Sequence, residues 1–313
     1  MKQALVIPGI LGIAIWAAAQ GTGAGAQTPA AGQTQPAPAA AQAPAAAAQP
    51  AAKRPPQAKT QPEFDAYKAA GANTDPAALE KAADDFATKF PDSELRLLLY
   101  KVAMHLYQNA NNAEKTDAMG RKVLAIDGDD PDALTIVAEV IAERTRDTDI
   151  DRDQRYDEGM KMATKALTTV DTDLSIPAGT PQERVDAFKA GLRSQAYSTM
   201  GTIAYNKNDF AAAQANFQKA IDAYPSQPYA PDVLRLALSL DKQATAATDD
   251  KEKQQKYGEA LKAANRAVEL TKEDTGIGGS ARRERDRLQQ LTGAAAPAAA
   301  TPPTTPPNQP PKN

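Results

Sequence analysis

Between Phe64 and Leu291 apolar residues return every three or four positions, and polar ones fill the gaps. That period lays the apolar side chains along one face of a helix, and no run of alternating β-branched residues suggests a strand. The clearest stretch is 197–225, YSTMGTIAYNKNDFAAAQANFQKAIDAYP. Tyr197, Met200, Gly201 and Ala204 stand at i, i+3, i+4 and i+7, predicting a first helix. The turn Lys207-Asn208-Asp209 offers Asn208 or Asp209 as the cap of a second, which carries Ala213, Phe217 and Ala220 on one stripe and stops at Pro225. Gly201, Ala213 and Ala220 would let two helix backbones come close, with Tyr197 and Phe217 filling the flanks.

The same two-helix pattern precedes and follows this stretch. Asp75-Pro76 and Asp130-Pro131 read as caps with proline in the first helical position. They open helices with Leu79, Ala83 and Phe86, and with Leu134, Val137, Ala138 and Ile141, on one face. A second pair combines Leu99, Val102, Ala103 and Leu106 with Thr116, Gly120 and Val123 across Asn109–Asn112. Polar insertions are expected at 145–155 and 244–255, and a helix of about 25 residues from Thr180-Pro181 toward Tyr205. After Val233, Leu236, Ala237 and Leu240, a final basic helix at 280–291 has little apolar surface and suits an end cap.

In residues 197–225 the order Tyr197-x2-Met200-Gly201-x2-Ala204, then Ala213-x3-Phe217 and Pro225, resembles the tetratricopeptide repeat. The departure is Ala204, where that family prefers an aromatic residue and where Tyr205 stands next door. Ala103 and Ala138 lie 35 residues apart and Gly201 and Ala237 lie 36 apart, near the repeat length of about 34. The resemblance implies an all-α solenoid of about five helix-turn-helix pairs over 63–292. It also implies that first helices line a concave groove for a peptide or helix. By matching position those residues are Tyr100, Met104, Thr135, Glu139, Ser198, Thr202, Asn206, Leu234 and Leu238.

The ends read differently. Residues 1–26 carry Lys2, an apolar run and Ala24-Gly25-Ala26, which predicts a cleaved signal peptide rather than a membrane span. Residues 27–62 and 293–313 are dominated by Ala, Pro, Gln, Gly and Thr, which predicts a disordered linker and a disordered tail. The 313 residues include no cysteine, so disulfides and thiolate sites are excluded. A formal net charge of -3 argues against nucleic acid as a partner.

Chemistry is sparse. His105 is the only histidine, so neither a histidine-rich metal site nor a convincing Ser-His-Asp set can be assembled from the sequence. Asp147, Asp149, Asp151 and Asp153 with Glu158 match the acids of a calcium loop, but Arg152 occupies the place of its turn glycine. No cofactor is expected. The sequence therefore points to a non-enzymatic protein- or peptide-binding scaffold of the periplasm or cell envelope. The alternatives are a structural spacer in envelope assembly and a calcium-responsive module.

Overall fold

The computed structural model describes residues 53–177, 179–271 and 276–293. The expected signal peptide, most of the expected linker and nearly all of the expected tail lie outside them. Among the described residues the chain is all-helical: α1 (Gln61–Gly71), α2 (Pro76–Lys89), α3 (Leu95–Asn109), α4 (Ala113–Ile126), α5 (Pro131–Arg144), α6 (Arg152–Thr169), α7 (Gln182–Asn206), α8 (Phe210–Ala223), α9 (Ala230–Ala246), α10 (Asp250–Leu270) and α11 (Ile277–Thr292). None of these helices is long and apolar enough to cross a membrane. The chain divides into two units within α7, after Ala196.

Local chemistry sets the helix boundaries. Asp75 and Asp130 each accept the backbone N–H three residues on, at 2.8 and 2.9 Å, with proline next in sequence. Two turns share one design. Asn111 and Asn208 take positive φ, 55° and 62°, which asparagine tolerates better than most residues. Their successors Asn112 and Asp209 then cap α4 and α8.

In the first unit each of α1 to α5 packs on the next, and α1 also reaches α3. Leu79, Phe86, Leu99, Ala103, Met104, Met119, Val123 and Ile136 form the core. Gly120 sits where α4 meets α3 and α5, since a Cβ there would lie 2.5 Å from Val137 Cγ2 and 3.3 Å from Met104 Sδ. In the second unit α8 packs on α9, α9 on α10, and α11 on both α10 and α9. Phe217, Val233, Ala237, Tyr257, Ala260, Ala264, Ala281 and Leu288 build its core. A Cβ on Gly201 would lie 2.8 Å from the Phe217 ring, so the α7–α8 crossing depends on a missing side chain.

The structure departs from the expected pattern in three places. On α7, Gly201 and Ala204 are buried, but Tyr197 and Met200 are only half-buried, and Thr199 and Ile203 are enclosed instead. Tyr197 lies under the Lys219 ammonium, and Tyr205 meets Phe210 edge-on at 5.3 Å. The two expected insertions shrink to 145–151 and 247–249, because α6 starts at Arg152 and α10 at Asp250. The linker expected through Pro62 ends earlier. Thr60 and Glu63 form a reciprocal capping box that starts α1 at Gln61, and residues 53–59 lie against the helical turns.

The glycine contacts separate tight crossings from open ones. Gly201→Ala is expected to lower stability by about 1–3 kcal/mol, because the Phe217 ring must shift. Gly191→Ala, with nothing within 4 Å of its Cβ, should gain up to about 1 kcal/mol from helix propensity. Urea unfolding followed by helical circular dichroism decides; equal midpoints for the two variants would refute the packing argument.

Candidate functional site

Of the nine positions matched to a groove, four are buried and five, among them Ser198, are partly exposed. Tyr100, Met104, Thr135 and Leu234 are buried, and their partners explain why. The Tyr100 hydroxyl donates to Asp84 (2.8 Å) while Lys122 covers its ring. Met104 lies against Gly120, and the Thr135 hydroxyl donates back to the Pro131 carbonyl. Thr202 donates to the Ser198 carbonyl at 3.0 Å. Leu238 packs half-buried against the second core, and Asn206 is half-buried. Glu139 accepts from Gln195 at 2.6 Å and from Gln108 at 3.5 Å. In each unit these residues mainly fasten one helix to the next.

What the structure adds is a buried ionic cluster between α3 and α5. Lys101 reaches Asp130 at 2.9 Å and Asp132 at 3.2 Å, and His105 Nε2 lies 3.0 Å from the same Asp132 oxygen. Lys101 and His105 are one helical turn apart on α3, while Asp132 stands in the first turn of α5, where unpaired N–H groups favour an anion. Burial works against charge on all three. The neighbouring aspartates nevertheless raise Lys101 and His105, and those cations hold Asp132 well below the usual carboxylate range. The sequence offers a faint trace of this cluster: Lys101 and His105 at i, i+4 facing a helix start that carries Asp130 and Asp132.

In the second unit Asp232 occupies the comparable place, the first turn of α9, with fewer partners. It is 1% exposed and accepts from the Ser198 hydroxyl at 2.6 Å, while Arg235 stays 3.7 Å away. Burial outweighs both and pushes its carboxyl up to about 6.

The open feature is a cleft of about 550 Å³ between α4, α5 and α6, in the first unit. Asp117 and Arg121 on α4 line it, with Arg144 at the end of α5, Arg146 and Asp149 in the turn, and Arg155 and Glu158 on α6. Arg121 bridges Asp117 (2.8 Å) and Glu158 (2.7 Å), and Arg155 faces Asp149 at 3.7 Å. Arg144 and the Arg146 guanidinium have no ion-pair partner among the described residues. Ile150, at the tip of the α5–α6 turn, is fully exposed. The acids that matched a calcium loop are engaged elsewhere: Arg152 opens α6 and lies near Asp147 and Asp153, and Asp149 accepts the Arg146 N–H. Among the described residues no group of three or more His, Asp or Glu side chains is arranged to hold a metal ion.

No protein-family model matches the chain, and no curated protein matches it either.

Two aspartates in similar places should respond oppositely to substitution. Asp232 holds its proton to about pH 6 when folded, whereas an unfolded aspartate releases it near 3.9. Its contribution to stability is thus complete below about pH 4 and lost as pH rises through 6. Asp232→Asn is expected to exceed the parent by about 1–3 kcal/mol at pH 7 and to match it at pH 4. Asp132→Ala strands His105 and leaves Lys101 with Asp130 alone, and should cost about 3 kcal/mol or more at pH 7. Denaturant titrations at both pH values test this; a pH-independent Asp232→Asn difference would contradict the protonated aspartate.

Proposed function

We propose that the chain is a non-enzymatic scaffold or adaptor of the tetratricopeptide-repeat type, exported to the periplasm or cell envelope, that binds a protein segment. The α4–α5–α6 cleft carries this reading. It combines concavity with two unpaired guanidinium groups in its lining, and the fully exposed Ile150 stands in sequence between the lining residues Asp149 and Asp151. Helices that pair in sequence order, small residues at the crossings and the shared Asn111-Asn112 and Asn208-Asp209 turns support a repeat architecture. The export reading rests on the signal-like residues 1–26.

The partner fitted by this cleft is a segment presenting carboxylates to Arg144 and Arg146 and a hydrophobic side chain to Ile150. A displayed random-peptide library panned on the immobilised full chain tests the reading. Enriched peptides should be acidic with an apolar residue. Arg144→Glu/Ile150→Asp should weaken them at least about tenfold, a change of 1.4 kcal/mol. No enrichment, or equal retention by a variant with unchanged helical circular dichroism, would reject the cleft as the binding site.

A further inference from the structure

A second surface of the first unit already holds a peptide, and the peptide belongs to the chain itself. Residues 53–59, Lys-Arg-Pro-Pro-Gln-Ala-Lys, precede α1 and lie across three inter-helix turns. The Lys53 N–H donates to the Thr172 carbonyl (3.2 Å), and its ammonium reaches Asp127 at 2.6 Å and Asp173 at 3.9 Å. Arg54 grips Glu94 with both terminal nitrogens, at 2.9 and 2.5 Å, and the same carboxylate accepts the Gln57 N–H at 3.2 Å. Lys59 donates to the Asp92 carbonyl at 2.8 Å. Pro55, Pro56 and Ala58 are half-buried, whereas Arg54, Gln57 and Lys59 are more exposed even though the Arg54 and Lys59 side chains end on the turns.

The turns supply what such a segment needs. The α2–α3 turn gives Asp92 and Glu94, the α4–α5 turn gives Asp127, and the loop after α6 gives Thr172 and Asp173. Four extended residues cover about 13 Å, slightly more than one helix-to-helix spacing of 8–10 Å. The backbone advances only about 3.5 Å between Lys53 and Arg54, so it is their long side chains that reach Asp127 and Glu94 on separate turns. Prolines keep the strand extended, and since they lack an N–H the donors to this acceptor-rich surface are the Lys53 and Gln57 amides and the cationic side chains.

We propose that this acidic turn edge is a docking strip for extended segments with adjacent cations followed by prolines, and that residues 53–59 occupy it in cis. The individual ion pairs are exposed and weak, so attachment through α1 supplies the local concentration that keeps the strip filled. A partner of the same chemistry gains access by displacing the chain's own residues. This surface is distinct from the cleft between α4, α5 and α6 and does not rely on it.

The test uses the full chain and a fluorescein-labelled peptide of residues 53–59, followed by anisotropy at low salt. Lys53→Ala/Arg54→Ala/Lys59→Ala should bind the peptide with a Kd below about 1 mM, whereas the parent should bind it at least about tenfold more weakly. Adding Glu94→Lys and Asp127→Lys to the triple variant should abolish binding, as should replacing the peptide's cations with glutamate. A triple variant with parental helical circular dichroism that ignores the peptide would overturn the proposal, as would one whose binding survives Glu94→Lys/Asp127→Lys. Hydrogen exchange on the unaltered chain gives an independent reading. The Lys53 and Gln57 amides should be protected and should exchange faster as excess peptide is added. Exchange that stays the same in saturating peptide would also overturn it.

Discussion

A Cβ on Gly201 would collide with the Phe217 ring, and one on Gly120 would collide with Val137. The rest of the structure depends on these close approaches. Interiors pack at crystal-like density, so an atom placed in such a contact has nowhere to go without moving a helix. Alanine extends the principle along the chain: Ala103, Ala138, Ala213, Ala220, Ala260 and Ala264 are all fully buried. With only 5% aromatic residues the protein lacks bulky side chains to span wide gaps, so its helices must come near each other. Closeness in turn leaves little room for polar groups, and those that remain between helices must find partners.

The first-turn aspartates of α5 and α9 show the two outcomes. Each lies at a helix N-terminus, a place that favours an anion, and each is buried with its polar partner on the helix two before it. Facing Lys101 and His105, Asp132 stays ionised and becomes the centre of a cluster. Facing only Ser198 at close range, Asp232 retains its proton into the neutral side of its usual range. The backbone position is shared, and the residues two helices earlier decide the charge. A buried pair of this kind adds little net stability over an apolar contact but penalises any other register of α3 on α5.

Much of the helical layout was legible because it is local. Period, proline after aspartate, and asparagine pairs in turns are all short-range signals, and they located most of the helices, although α6 and α10 begin inside the expected polar insertions, at Arg152 and Asp250. The groove was not legible. Tyr100, Met104, Thr135 and Leu234, matched to a groove by position, are buried, Tyr100 with its hydroxyl on Asp84 and Met104 against Gly120. That depends on contacts more than ten residues distant, to which helical periodicity is blind. The cleft was hidden for a similar reason: its arginines come from α4, α5, the turn and α6, and only folding gathers them.

The start of α1 shows composition misleading a reading that local chemistry would have corrected. An Ala- and Pro-rich stretch predicts an unattached tether through Pro62. Thr60 and Glu63 have the spacing of a capping box, with Pro62 compatible with a first helical turn. Their reciprocal bonds fix the helix start, and Glu63 also accepts from Ser93, which ties it to the turn before α3. Once that end is anchored, the cations just before it are held within reach of acidic turns instead of diffusing away. The ordering of 53–59 thus follows from a cap several residues downstream, not from any intrinsic propensity of Lys-Arg-Pro-Pro. A weak set of surface ion pairs can hold a segment in place when its neighbour has already met the entropic cost of being there.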